Sequence, residues 1–166
     1  MSRLVGERAP AAHLAPMSPD EFRDFFEFSI VDYAQEKVRA GNWSEGEALD
    51  KSRQEFWQLL PSGLDTPNHH LYAIREDGGG KVGALWLAVE ERRGGTTGFI
   101  YQLHIEEQFR RRGFAAGAMR ALEETARTLR VDTLALHVFG HNHAAIALYR
   151  KLGYDVTNMN MAKKLG

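Results

Sequence analysis

The chain has no cysteine. That absence excludes disulfides, thiolate metal ligands and a cysteine acyl-enzyme, and it fits a reducing compartment. Also missing is any apolar run near the roughly 18 residues of a membrane span. The N-terminal stretch MSRLVGERAPAAHL has no long apolar segment of the kind a secretory signal needs. The expected location is therefore the cytoplasm, with no membrane partner. Charge of one sign is lacking too: 21 Lys and Arg stand against 22 Asp and Glu, a formal net charge of −1. A dedicated nucleic-acid binder needs a broad basic face, so nucleic acid is not an expected partner. There is no internal repeat, low-complexity tract or interdomain linker. What is present is a chain of 166 residues, 43% hydrophobic, enough to fold as one domain over residues 1–166 with a full-sized core.

Local signals give the order of elements. HLAPM reads as a short first strand. Ser18, Pro19 and Glu21 then form a capping box with proline at the first helical position. Phe22, Phe25, Phe26, Ser29 and Tyr33 fall on one helical face, and the helix should stop near Gly41. A second box, Ser44 with Glu47, opens another helix, to which Leu49, Phe56, Trp57 and Leu60 belong, and Pro61 ends it; by spacing, most aromatics of FRDFFEFSIVDY and NWSEGEALDKSRQEFW are core. The period then changes. HHLYAIRE and KVGALWLAVE are strand-like runs joined by DGGG, a hairpin signal. RRGGTTG reads as a loop before a third strong strand, FIYQLHI. Ala115, Ala118, Leu122, Ala126 and Leu129 recur at helical spacing. DTLALHVF is another strand, Asn142 can cap HAAIALYRKL, Gly153 can end it, and YDVTNMNMAKKL reads as a final strand. This order specifies an α/β domain with a parallel strand–helix–strand unit.

The stretch QFRRRGFAAGAMRAL lies at the turn of that unit. A helix N-terminus carries unpaired N–H groups and partial positive charge, and after a parallel strand it lies at the ligand-binding edge of the sheet. Gly113 lets an anion approach the backbone, and phosphate is the obvious anion. The P-loop pattern is absent, since GGGKV lacks the hydroxyl and sits in a hairpin. The Gly-x-Gly-x-x-Gly fingerprint of a Rossmann domain is absent as well, which with the helical insertion before the hairpin disfavours that fold. What remains is Arg110-x-x-Gly113-x-Ala115, followed downstream by Asn142, Ala145, Leu148, Tyr149, Gly153 and Tyr154 in HVFGHNHAAIALYRKLGY.

Over residues 99–154 these motifs resemble the GNAT superfamily of N-acetyltransferases, whose pyrophosphate signature is Gln/Arg-x-x-Gly-x-Gly/Ala. The N-terminal half agrees by element order. The resemblance implies a GNAT fold, with a mixed central sheet of about six to seven strands flanked by about four helices. It implies acetyl-CoA as co-substrate, with the pyrophosphate on backbone N–H groups of Arg111, Arg112, Gly113, Phe114, Ala115 and Ala116 behind Arg110. Leu103, His104 and Ile105 would hold the pantetheine arm like an added strand. Two features depart from the family's pattern. IEEQF lacks a proline common there, and Ala115 and Ala116 stand where a second glycine is frequent.

Acetyl transfer to an amine calls for a base, a donor to the oxyanion and a proton for the departing thiolate. Tyr149 is the candidate acid, since the resemblance places its hydroxyl near the thioester sulfur and a phenol is protonated at neutral pH. Its alternative is a plain core tyrosine on an apolar helix face. Asn142 is both a cofactor contact by resemblance and an N-cap by position, and an Asn has the capacity for both. His137 and His104 are the candidate bases, each with the alternative of a histidine satisfied in a sheet pocket. His137, His141 and His143 do not align as a metal set, and no metal is expected. His69 and His70 read as ordinary edge residues. Arg110, Arg111 and Arg112 also fit a solvated helix entrance, with one guanidinium free to meet the 3′-phosphate of CoA.

By analogy the first two helices flank the acceptor site, where Glu27, Asp32 or Glu36 could draw a cationic amine. The expected activity is transfer of acetyl to a primary amine, small-molecule or peptide and protein, by direct attack in a ternary complex, in a monomer or homodimer. The competing reading is a non-catalytic acyl-CoA-binding regulatory module.

Overall fold

The computed structural model describes residues 11–166. The start of the chain, read above for a leader, lies partly outside the described residues. The elements follow in the order β1 Ala12–Pro16, α1 Pro19–Arg39, α2 Glu45–Leu59, β2 His69–Glu76, β3 Lys81–Arg92, β4 Gly95–Ile105, α3 Phe114–Thr128, β5 Thr133–Leu136 and α4 His143–Lys151. Both boxes cap their helices: the Ser18 hydroxyl accepts from the Glu21 N–H at 3.2 Å while the Glu21 carboxylate accepts from the Ser18 N–H at 3.0 Å, and in the second the Glu47 carboxylate accepts from the Ser44 N–H at 3.1 Å. Glu21 also pairs with Arg75 on β2, tying the start of α1 to the sheet. Burial pushes the Glu21 carboxyl up, but the Ser18 N–H and Arg75 outweigh it and hold it below its usual range.

The sheet runs β1-β2-β3-β4-β5, antiparallel throughout except for the parallel pair β4–β5. Alternation along β3 sends Ala84 and Trp86 to one face and Leu85 and Leu87 to the other. On the first face they join Phe25, Phe26 and Ile30 of α1 and Phe56 of α2. On the second they join Phe114, Ala118, Met119 and Leu122 of α3. The helices thus cover both faces of the sheet, α1 and α2 on one side and α3 on the other.

Three sequence expectations are corrected. First, five strands form among the described residues, against the six to seven expected, because residues 154–166 pair with nothing and carry no strand. Val156, Met159 and Met161 find no surface to cover, and a lone strand without a ladder or a buried face is not stable in water. Second, most of RRGGTTG is not a loop. β3 runs to Arg92 and β4 starts at Gly95, the two residues pairing across a tight turn, because Thr96 and Thr97 extend the ladder opposite Glu91 and Glu90. Third, Trp57, expected in the core, is largely exposed on α2, as is Leu49. The buried residues of that helix are Ala48, Ser52 and Phe56. These lie four apart on one face, and Leu49 and Trp57 each sit one step, about 100°, around from it. Phe28 is likewise exposed, not core.

One glycine fixes the sheet near the turn of the parallel unit. A Cβ on Gly83 would come within 2.1 Å of the His104 carbonyl oxygen. Only glycine lets β3 lie this close to the last residues of β4.

Candidate active site

The site begins where two strands part. β4 and β5 pair from Thr97↔Thr133 to Ile100↔Leu136 and no further. β4 then runs on to Ile105, still paired to β3. Between Trp86↔Gln102 and Leu87↔Ile100 the register skips Tyr101, a bulge that bends β4 at the point of parting. The Glu106 N–H donates to the Val82 carbonyl at 2.9 Å on the β3 side. By alternation, Leu103 and Ile105 turn their backbone polar groups to the side that β5 has left.

The chain next crosses to α3. Arg110 Nε donates to the Ile105 carbonyl at 2.9 Å, so this guanidinium braces the end of β4 rather than standing as a solvated helix entrance. Arg112 lies over the Phe109 ring at 5.7 Å. Arg111 has φ 60 and Gly113 has φ 87. Left-handed conformations within such a turn swing successive N–H groups to one concave side and make an anion nest. At Arg111, which has a Cβ, that conformation costs roughly 1–2 kcal/mol. None of the backbone N–H groups of residues 111–116 donates to any acceptor among the described residues, and the first helical bond of α3 is Gly117 N–H to the Gly113 carbonyl at 3.0 Å. The N-terminal end of the α3 dipole adds positive potential at the same point.

The other wall is α4. The Asn142 Oδ1 accepts from the Ala145 N–H at 3.2 Å, which is the N-cap, and its amide NH2 has no partner among the described residues. Tyr149 packs against the core on the α3 face. Burial pushes its phenol above the usual value, so it is protonated at neutral pH, and its hydroxyl makes no hydrogen bond among the described residues. Tyr154 meets it edge to face at 5.8 Å. The Tyr154 hydroxyl is buried without a partner among the described residues, and burial, followed by Glu123 and Tyr149, pushes it up to about 12.

The candidate bases are set apart. His104 lies on the α1 side, its ring 4.3 Å from that of Phe28. Burial, then Arg110 and Lys81, lowers it to about 4. His137 follows β5 and is exposed, edge to face with Phe139 at 4.9 Å. Desolvation by the surrounding protein, then the Lys37 charge, lowers its pKa. No hydrogen bond or ring contact joins the two histidines among the described residues.

Contacts between distant residues add what sequence patterns do not carry. Phe28, Asp32 and Glu36, spaced four apart, form a stripe on α1. Phe28 meets His104 of β4 at one end, and His141 Nε2 hydrogen-bonds Glu36 at the other. The stripe therefore spans from β4 to the β5–α4 loop, across the parting of the strands. Between its ends, burial and then Glu36 raise the pKa of Asp32, with Arg110 opposing. His69, read as an edge residue, accepts a hydrogen bond at Nδ1 from the Trp86 indole at 2.9 Å. Glu27 is exposed. No group of three or more His, Asp or Glu residues suited to a metal occurs among the described residues.

Residues 24–154 match the model of the Acetyltransferase (GNAT) family. The chain is 40% identical over 152 residues to the uncharacterized N-acetyltransferase YdgE of Bacillus subtilis (strain 168), covering 92% of this chain and 97% of the relative. The crystal structure of the putative acetyltransferase YycN from Bacillus subtilis superposes with a TM-score of 0.90 at 39% identity, covering 93% of this chain and 99% of that one. A mycothiol acetyltransferase of Mycolicibacterium smegmatis is 30% identical over 125 residues, 74% of this chain but 39% of that longer protein. The match to this family model over most of the chain and the likeness to these relatives in sequence and fold show that the chain belongs to the GNAT family of acetyltransferases.

Proposed function

We propose that the protein transfers acetyl from acetyl-CoA to a primary amine, on a small molecule or a peptide, by direct attack in a ternary complex. The observation that carries this reading is the run of unpartnered N–H groups at residues 111–116. A pyrophosphate fits such a run, because each N–H gains a charge-assisted bond it otherwise lacks. The open side of Leu103 and Ile105 suits the amide-bearing pantetheine arm, which can bond there as an added strand. Tyr149 holds its proton at neutral pH and has a hydroxyl free to give it to the departing thiolate. The absence of cysteine favours direct attack over a thioester acyl-enzyme. On the acceptor side, Asp32 and Glu36 line the α1 stripe. A cationic amine is drawn there because it relieves the cost of holding a partly buried carboxylate beside a second one.

Three measurements test the proposal. Acetyl-CoA at a hundred times its Kd stabilises the fold by about 2.7 kcal/mol, a rise in Tm of roughly 5–10 °C for a chain of this size. Gly113→Val places a branched side chain in the nest and should abolish that rise, while Gly113→Ala should reduce it. A full rise in both folded variants would remove the cradle.

Tyr149→Phe keeps the ring and deletes the hydroxyl. Its single-turnover rate should fall about 10²–10⁴-fold with acetyl-CoA affinity unchanged. Tyr154→Phe, which deletes the neighbouring hydroxyl, should turn over normally. Equal rates in wild type and Tyr149→Phe would return Tyr149 to a packing role.

The pH profile separates the bases. A histidine of lowered pKa is neutral, and so able to accept a proton, down to its own pKa and is lost as a base below it. With amine saturating, the acidic limb of kcat/KM for acetyl-CoA should therefore lie near pH 4 if His104 is the base. It should lie under the usual histidine value of about 6.5 if His137 is the base, and the single replacements His104→Gln and His137→Gln then tell the two apart. Replacement of the responsible histidine by Gln should move the limb. A limb unmoved in His104→Gln/His137→Gln assigns the proton to another group.

A further inference from the structure

The extra residue of the β4 bulge carries a side chain that is held from two other strands. A bulge sets two residues against one, and here Tyr101 and Gln102 stand opposite Trp86. The Tyr101 ring stacks on the Trp86 indole, with centroids 4.5 Å apart and planes 23° apart. Phe99 meets Tyr101 edge to face at 4.8 Å. Trp86 is 1% exposed, and its indole N–H has one acceptor among the described residues, His69 Nδ1 at 2.9 Å. β2 supplies that acceptor from a diagonal position, since Leu71 is paired with Trp86 and His69 with Ala88. Aromatic side chains bridge such a diagonal. The His69 ring also lies 6.0 Å from that of Tyr101, the two planes 26° apart. His69, Trp86 and Tyr101 thus join three strands at the point where β4 bends away from β5.

A buried indole N–H without an acceptor is costly. Nδ1 accepts only when the ring is neutral with its proton on Nε2. Burial, then His70, lowers the His69 pKa, with Glu90 opposing, and so favours the neutral ring. We propose that His69 is a positioning residue for acetyl transfer: its bond to the Trp86 indole fixes the plane on which Tyr101 stacks, and thereby fixes the bulge that opens the edge of β4. Without that anchor β4 can pair with β3 one residue out of step, and such a slip turns each side chain beyond the bulge to the opposite face. The backbone polar groups of Leu103 and Ile105 would then turn toward β3 and away from the open side. His69 reaches the site only through Trp86 and Tyr101. This role rests on the reading that the open edge takes the pantetheine arm of acetyl-CoA.

Two replacements separate the hydrogen bond from the bulk of the ring. His69→Leu keeps apolar volume and removes the acceptor, whereas His69→Asn keeps an acceptor oxygen close to the place of Nδ1. In His69→Leu the NMR resonances of the Trp86 indole N–H and of the amides of residues 101–105 should shift. Its kcat/KM for acetyl-CoA should fall roughly tenfold to a hundredfold, the scale that a displacement of about 1 Å costs. His69→Asn should keep both the amide resonances of 101–105 and kcat/KM close to wild type. If His69→Leu does not fold, His69→Gln, whose oxygen reaches the place of Nε2 instead, replaces it in the comparison. Unmoved 101–105 amides, an unchanged kcat/KM, or an equal loss in His69→Asn would each overturn the role. The amide readout needs no cofactor. Shifted amides in a protein whose wild type does not bind acetyl-CoA would keep His69 as the anchor of the bulge and remove the acetyl-transfer reading.

Discussion

Everything proposed for the site depends on the parting of β4 from β5 beyond Ile100↔Leu136. Strands in a sheet satisfy each other's backbone groups, and a strand that loses its neighbour must find other partners. Here the loss is built in. The bulge at Tyr101 turns β4 aside, and Gly83 keeps the rest of it pressed to β3, where any side chain would strike the His104 carbonyl. The opened edge, the loop with its unpartnered N–H groups and the α1 stripe all converge on the resulting gap. None of these would face a ligand if β5 ran four residues further.

The electrostatics of that gap come mainly from the backbone. Arg110 is engaged with the Ile105 carbonyl and Arg112 with the Phe109 ring. The side chains of the basic run therefore organise the loop, while its N–H groups and the α3 dipole present the positive potential. A fixed array of N–H donors needs no rearrangement when an anion arrives, which is why such arrays hold charge well. The basic side chains also act at a distance: Arg110, after burial, helps keep His104 uncharged and opposes the rise at Asp32. For the proposed reaction, a neutral histidine and a costly, partly buried carboxylate suit a cationic amine that must lose a proton before it attacks.

Local physics was legible in the sequence and tertiary physics was not. Ser18 with Glu21 and Ser44 with Glu47 announce their helices because a capping box is closed within one turn. The strand–loop–helix around Gly113 was equally plain, as was Asn142 as a cap. The pairing that closes the stripe from His104 to His141 leaves no sequence signal, because Glu36 and His141 are 105 residues apart and no spacing rule links them. The low value at His104 needed its burial and its two cationic neighbours, which no spacing encodes. The left-handed Arg111 was invisible for the same reason, since nothing in an Arg-Arg-Arg-Gly run says which residue takes the strain. The last strand was misread in a more useful way. Residues 158–162 do alternate, but residues 154–166 join no ladder among the described residues, and alternation without a ladder does not make a strand.

The central claim is that the N–H groups of residues 111–116 hold the pyrophosphate of acetyl-CoA. Amide hydrogen exchange, read residue by residue by NMR, tests it without substitution. CoA should slow exchange at Gly113, Phe114, Ala115 and Ala116, and pantetheine, which lacks the pyrophosphate, should leave those amides unchanged while slowing Leu103 and Ile105. Equal protection of the 111–116 amides by both ligands, or by neither, would contradict the account.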